Sequence, residues 1–100
     1  PATLRRISST GDLLLIWNKN VDPGASLGGK RTPLNVAISK DEGESWILER
    51  ELETDPNFSY SYPSLTFIRN RAVLTYWVED SSKRQWSTKF RSLPISWFYR

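Results

Sequence analysis

Ser39-Lys40-Asp41-Glu42-Gly43-Glu44-Ser45-Trp46, written SKDEGESW, is the stretch that decides how the chain folds. It sets Ser, Asp, Gly and Trp at offsets 0, 2, 4 and 7. Asp41 can accept hydrogen bonds from backbone N–H groups of its own turn. Gly43 supplies a positive φ that other residues resist. Ser39 can tie the base of the turn, and Trp46 can fold over it as an apolar lid. A calcium loop of the EF-hand type is excluded, because the stretch is too short and lacks the spaced oxygen ligands and closing Glu of that site.

Working outward, strands flank this turn on both sides. Leu34, Val36 and Ile38 alternate with Asn35, Ala37 and Ser39, which predicts a half-buried strand over Pro33–Ser39. Trp46, Leu48 and Leu52 alternate with Ile47, Glu49 and Glu51, which predicts its neighbour over Trp46–Glu53. Gln85 to Arg91 alternates in the same way through Trp86, Thr88 and Phe90. Two further runs, Leu13–Trp17 and Val73–Val78, are apolar on both faces and read as strands between packed layers. No segment predicts a helix. Ser9–Asp12 and Arg69–Arg71 read as tight connectors. Asn20–Lys30 reads as a long loop, and Thr54–Ser61 as an irregular stretch.

A repeat overlies this pattern. Leu4-x-x-Ile7, a turn, Leu13-Leu14 and Trp17 recur as Leu65-x-x-Ile68, a shorter turn, Val73-Leu74 and Trp77. Leu4 to Leu65 is 61 positions and Trp17 to Trp77 is 60. A unit of that length holds about four strands, the content of one β-propeller blade. SKDEGESW then joins the third and fourth strands of the first unit.

Composition removes several kinds of chemistry. The chain has no His and no Cys, so imidazole bases, the commonest zinc ligands and disulfides are all excluded. Net charge is +3, from scattered pairs such as Arg5-Arg6, Lys30-Arg31 and Lys83-Arg84, not from a polybasic stripe. That pattern speaks against a nucleic-acid partner. The longest apolar run is five residues, far short of the roughly 18 that suggest a membrane span. The sequence opens on Pro1 and contains no Met, which suggests a piece of a longer protein.

SKDEGESW resembles the Asp box, or BNR repeat, of the sialidase-like β-propellers, and the family places that box between the third and fourth strands of a blade. Arg31-Thr32-Pro33-Leu34 and Tyr62-Pro63-Ser64-Leu65 resemble the R-T-P-L and Y-P-S-L segments of bacterial BNR-type proteins. The resemblance implies an all-β, sialidase-like propeller, with about two four-stranded antiparallel blades of a six-bladed ring present. Residues 1–53 would be one blade with its structural Asp box (Ser39, Asp41, Gly43, Trp46). Residues 54–100 would be the closing blade, three strands of it, and both would be fragments of one larger domain.

The resemblance also implies a function: exo-cleavage of a terminal sialic acid or a related acidic sugar. Arg31 would clamp the sugar carboxylate with its planar fork. Tyr62 would be the nucleophile, since a neutral phenol avoids the repulsion a carboxylate would meet there. Neither a cofactor nor a metal is implied. The partners would be an acidic glycan together with the rest of the propeller chain or further copies of this one, three of which would complete a ring. The match is incomplete. Leu74-Thr75-Tyr76-Trp77 carries Trp where many sialidases have Glu, and the family's acid/base Asp and activating Glu belong to earlier blades. A non-catalytic carbohydrate-binding propeller is therefore the alternative, and a small β-sandwich the third reading. Trp97-Phe98-Tyr99 reads as a closing edge or tail contact ahead of a sugar platform, and Asn57-Phe58-Ser59 fits an N-glycosylation pattern.

Overall fold

The computed structural model describes residues 2–19, 31–80 and 82–100. The expected long loop Asn20–Lys30 lies outside them. Among the described residues, seven strands form two antiparallel meanders. The first sheet runs β1 (Thr3–Arg6), β2 (Leu13–Asn18), β3 (Leu34–Ser39) and β4 (Ile47–Glu53), in that order. The second runs β5 (Phe58–Ile68), β6 (Arg71–Asp80) and β7 (Gln85–Pro94). The chain closes on a 3-10 segment, Ile95–Tyr99, where no helix was expected. No described helix is long and apolar enough to cross a membrane.

The two sheets stack face to face. The layer between them holds Leu14, Ile16, Leu34, Val36 and Ile38 from the first sheet and Leu65, Ala72, Leu74 and Tyr76 from the second. Each fully buried Leu, Ile or Val of this layer contributes roughly 1.5–3 kcal/mol. Polar ties fix how the sheets are placed. Thr3 Oγ1 donates to the Pro63 carbonyl, joining β1 to β5. On the other flank the Lys89 ammonium sits 2.6 Å from Glu53, and Arg91 donates to the Leu52 carbonyl at 3.1 Å.

The strand periods are realised differently on the two sides of each sheet. Leu13–Trp17 and Val73–Val78 were expected to be enclosed on both faces. In each run only the inner residues, Leu14 and Ile16 or Leu74 and Tyr76, are buried. Leu13, Leu15, Trp17, Val73 and Thr75 are half-buried and Trp77 is 46% exposed, because only one layer of packing lies between the described sheets. β3 departs in the opposite sense, since all six of its residues are buried. It has a neighbour on each side; Ser39 is enclosed by its own turn and Asn35 lies against Glu49. The stretch Thr54–Ser61 is also more regular than expected, as β5 already begins at Phe58 and Tyr60 packs edge-on against Tyr76 at 6.1 Å.

The tail straps the two sheets together. Phe98 is buried, with Trp97 at a right angle to it and 5.1 Å away. The Arg50 guanidinium stacks 3.9 Å over the Trp97 ring and donates to the Trp97 carbonyl at 2.5 Å. Tyr99 Oη donates to Asp12 at 2.7 Å. Trp97-Phe98-Tyr99 is thus a tail contact.

Candidate functional site

Strand direction sorts the sequence motifs to opposite ends of the molecule. The β3–β4 turn, with SKDEGESW, lies at the same end as the β1–β2 and β5–β6 turns. Arg31, Glu53 and Tyr62 all lie towards the other end, where β2 leaves, β3 enters and β4 passes to β5.

The SKDEGESW turn is closed by its own side chains. Ser39 Oγ accepts from the Gly43 N–H at 2.8 Å and donates to Asp41 Oδ1 at 2.9 Å. Asp41 Oδ1 accepts from the Ser45 N–H at 2.8 Å, and Ser45 Oγ donates to Asp41 Oδ2. These donors, Ser45 first and then Ser39, hold the Asp41 carboxyl below its usual range. Gly43 has φ +90°, and Trp46 lies over it: a Cβ built there would stand 3.9 Å from Trp46 Cζ2. Ser39, Asp41 and Ser45 thus clasp the turn from within, while Glu42 takes a two-pronged hydrogen bond from the Arg6 guanidinium at the end of β1, 2.7 Å on each oxygen.

At the opposite end, Arg31 is held by its backbone. Its N–H donates to Ser59 Oγ at 3.2 Å, and its carbonyl accepts from the Tyr60 N–H at 2.8 Å and from Asn18 Nδ2 at 2.9 Å. Asn18 Nδ2 also donates to the Tyr60 carbonyl at 2.9 Å, so one amide ties the first sheet to β5. With its main chain fixed, the Arg31 guanidinium lies 5.2 Å from the centroid of the Tyr62 ring. Tyr62 is 60% exposed and sits at φ +52° where the β5–β6 register shifts between Ser61 and Ser64. A bulky side chain in that region is strained by roughly 1–3 kcal/mol, and the bulge is what turns the ring outward.

The two residues singled out as clamp and nucleophile are therefore brought together across the junction of the sheets. What they can do follows from their geometry. A guanidinium stacked on a ring keeps its edge N–H groups free to grip a planar anion. No carboxylate pairs with Arg31 among the described residues. Nor does any described carboxylate bond to Tyr62.

The tyrosine that does have a carboxylate partner is Tyr76, whose phenol donates to Glu53. Burial first, and then Glu53, push that phenol up, so it stays protonated; it is only 1% exposed. Tyr60 is likewise pushed up to about 12 by burial, Glu53 and Asp55. Neither presents a nucleophile to solvent. Asn18, Ser59 and the Glu53–Tyr76 pair carried no signal in the sequence: Asn18 reaches the Arg31 carbonyl 13 positions away where β2 pairs with β3, and the other contacts, 23 to 42 positions apart, form only when the sheets dock. Among the described residues no cluster of acidic side chains forms a metal site.

No curated protein and no solved structure matches the chain. A family model does match, that of the BNR repeat-like domain, over residues 6–76. The matched span runs from the end of β1 to the middle of β6 and includes Arg31, the SKDEGESW clasp and Tyr62. The chain belongs to the BNR repeat-like domain family.

Proposed function

We propose that the chain is part of a sialidase-like propeller that recognises an acidic sugar at Arg31 and Tyr62. The observation that carries the reading is their meeting, 5.2 Å apart, at the end opposite the clasp. Arg31 takes the carboxylate of the sugar and the Tyr62 ring flanks it. Hydrolysis at this site would need a base for the Tyr62 phenol, and no described residue provides one. The binding reading therefore stands ahead of the hydrolytic one.

Strand register gives two matches of the repeat with opposite consequences. In a ring each blade shows one face to the blade before it and the opposite face to the blade after. Leu4 pairs with Leu15, and Leu4, 53% exposed, points away from the second sheet. Leu65 pairs with Leu74, and both point towards the first sheet. Matching these two pairs puts unlike faces in contact, as a ring requires, whereas matching Trp17 to Trp77 puts like faces in contact, as in a sandwich.

A titration with the α-methyl glycoside of N-acetylneuraminic acid, followed by NMR, tests the reading. Arg31 and Tyr62 signals should shift together, Arg31→Ala should abolish the effect and Tyr62→Phe should keep it. Absence of any shift at saturating sugar refutes the proposal. Hydrolysis of a fluorogenic sialoside that is lost in Tyr62→Phe, while binding survives, would restore the nucleophile role.

A further inference from the structure

Tyr62 keeps a backbone shape that its own residue type resists, so its surroundings must impose that shape. It stands at φ +52° immediately before Pro63. A bulky residue is strained in the left-handed region, and a following proline pushes it further towards extended backbone. Such a conformation persists only where the neighbours over-determine it.

The register shows where the constraint must come from. Ser61 pairs with Trp77 and Ser64 with Thr75, so Tyr62 and Pro63 together face the single residue Tyr76. Before the bulge the chain is anchored by Ser61, which is 1% exposed. After it, Pro63 is buried, has no N–H to donate and holds its own φ near −65° by its ring. One soft dihedral is left at Pro63, the one that aims its carbonyl. That carbonyl accepts a hydrogen bond from Thr3 Oγ1 of the other sheet. A buried carbonyl needs such a partner. Thr3 can supply it because it stands opposite Ile16, whose side chain lies in the layer between the sheets, and so shares that inward face. β1 and β5 are the first strands of their two sheets, so in a propeller the contact joins successive blades directly.

We infer that Thr3 is a positioning residue for Tyr62: by holding the Pro63 carbonyl it fixes the base of the bulge and keeps the Tyr62 ring against the Arg31 guanidinium. Arg31 is anchored separately, on Ser59, Tyr60 and Asn18, so loss of the Thr3 hydroxyl frees one partner and not the other. The role in recognition rests on the binding reading of Arg31 and Tyr62, but the placement of the ring does not.

An aromatic ring 5.2 Å from the guanidinium carbon displaces the NMR signals of the Arg31 side chain, and the displacement can be read in the free chain. Tyr62→Leu, which has no ring, marks its zero. Thr3→Val keeps the shape of the side chain but removes the hydroxyl, and most of the displacement should be lost. Thr3→Ala should do the same and serves if the valine variant folds poorly. Thr3→Ser keeps the donor and should keep the displacement. Lys89→Gln cuts a tie on the other flank of the sheets and should leave the displacement in place, which separates aiming the ring from holding the sheets together. The α-methyl glycoside of N-acetylneuraminic acid should bind Thr3→Val about three- to tenfold more weakly, the worth of one hydrogen bond. A displacement that survives Thr3→Val and Thr3→Ala, that is lost equally in Lys89→Gln, or that is lost with no change in sugar affinity overturns the inference. A displacement that follows Thr3 in a chain that binds no sugar upholds the placement of the ring and refutes the binding reading alone.

Discussion

Replacing Phe98 by Ala tests whether the tail really straps the two sheets. Phe98 is 1% exposed and sits in a five-residue segment with no regular pairing partner of its own. Its packing is thus the main thing holding that segment, helped by Ile95 and by Arg50 on Trp97. A buried Phe→Ala change costs about 3–5 kcal/mol, the lost transfer energy plus the cavity left behind. A domain of this size is stable by about 5–15 kcal/mol, so the variant should keep only part of its margin. At about 4–8 °C per kcal/mol, the melting temperature should fall by at least about 12 °C. Urea unfolding followed by tryptophan fluorescence measures the loss. Ser96→Ala, exposed in the same segment, should cost no more than about 0.5 kcal/mol and serves as the control. A loss below about 1 kcal/mol for Phe98→Ala would mean that the tail frays and the layer is closed some other way.

Two pH predictions follow from the carboxyl and phenol groups. Asp41 is held below its unfolded range by Ser45 and Ser39, so its contribution is present above about pH 4 and is lost as pH falls through its folded value. Asp41→Asn should therefore lower stability at neutral pH and flatten the acid limb of a stability–pH curve, and an unchanged acid limb would contradict the clasp. Tyr60, Tyr76 and Tyr99 are raised, so the stability they contribute is complete below about pH 10 and is lost as pH rises through their folded values. Ultraviolet titration of the native chain should show these phenols resisting ionisation near pH 10, with unfolding in alkali releasing them together.

Much of the fold was legible because period-two alternation reports strands directly. The runs around Leu13, Leu34, Trp46, Val73 and Gln85 all form strands. Alternation says which residues share a face but not which face is covered, and this is where the expectations for Leu13–Trp17 and β3 went astray. So did those of half-buried strands at Trp46–Glu53, where a register shift leaves Leu48 exposed and Leu52 alone buried, and at Gln85–Arg91, where Trp86 and Phe90 are exposed. The clasp was legible because its contacts are local, within eight residues. The other end was legible only in part. Arg31 and Tyr62 stood out by resemblance, whereas Asn18 looks like an ordinary strand end and Glu53–Tyr76 like two unrelated residues. Such contacts are set by the stacking of the sheets, and no single-strand period encodes that.

Asn18 has one consequence beyond position. Its amide joins the carbonyl of Arg31 to that of Tyr60, so Arg31 and Tyr62 face each other only while the two sheets are docked. A ligand held by both residues has no site on the separated sheets, and its binding energy is drawn entirely from the docked state. Occupancy and cohesion are then one equilibrium: at a hundredfold excess over Kd a ligand adds about 2.7 kcal/mol to the cohesion of the whole chain.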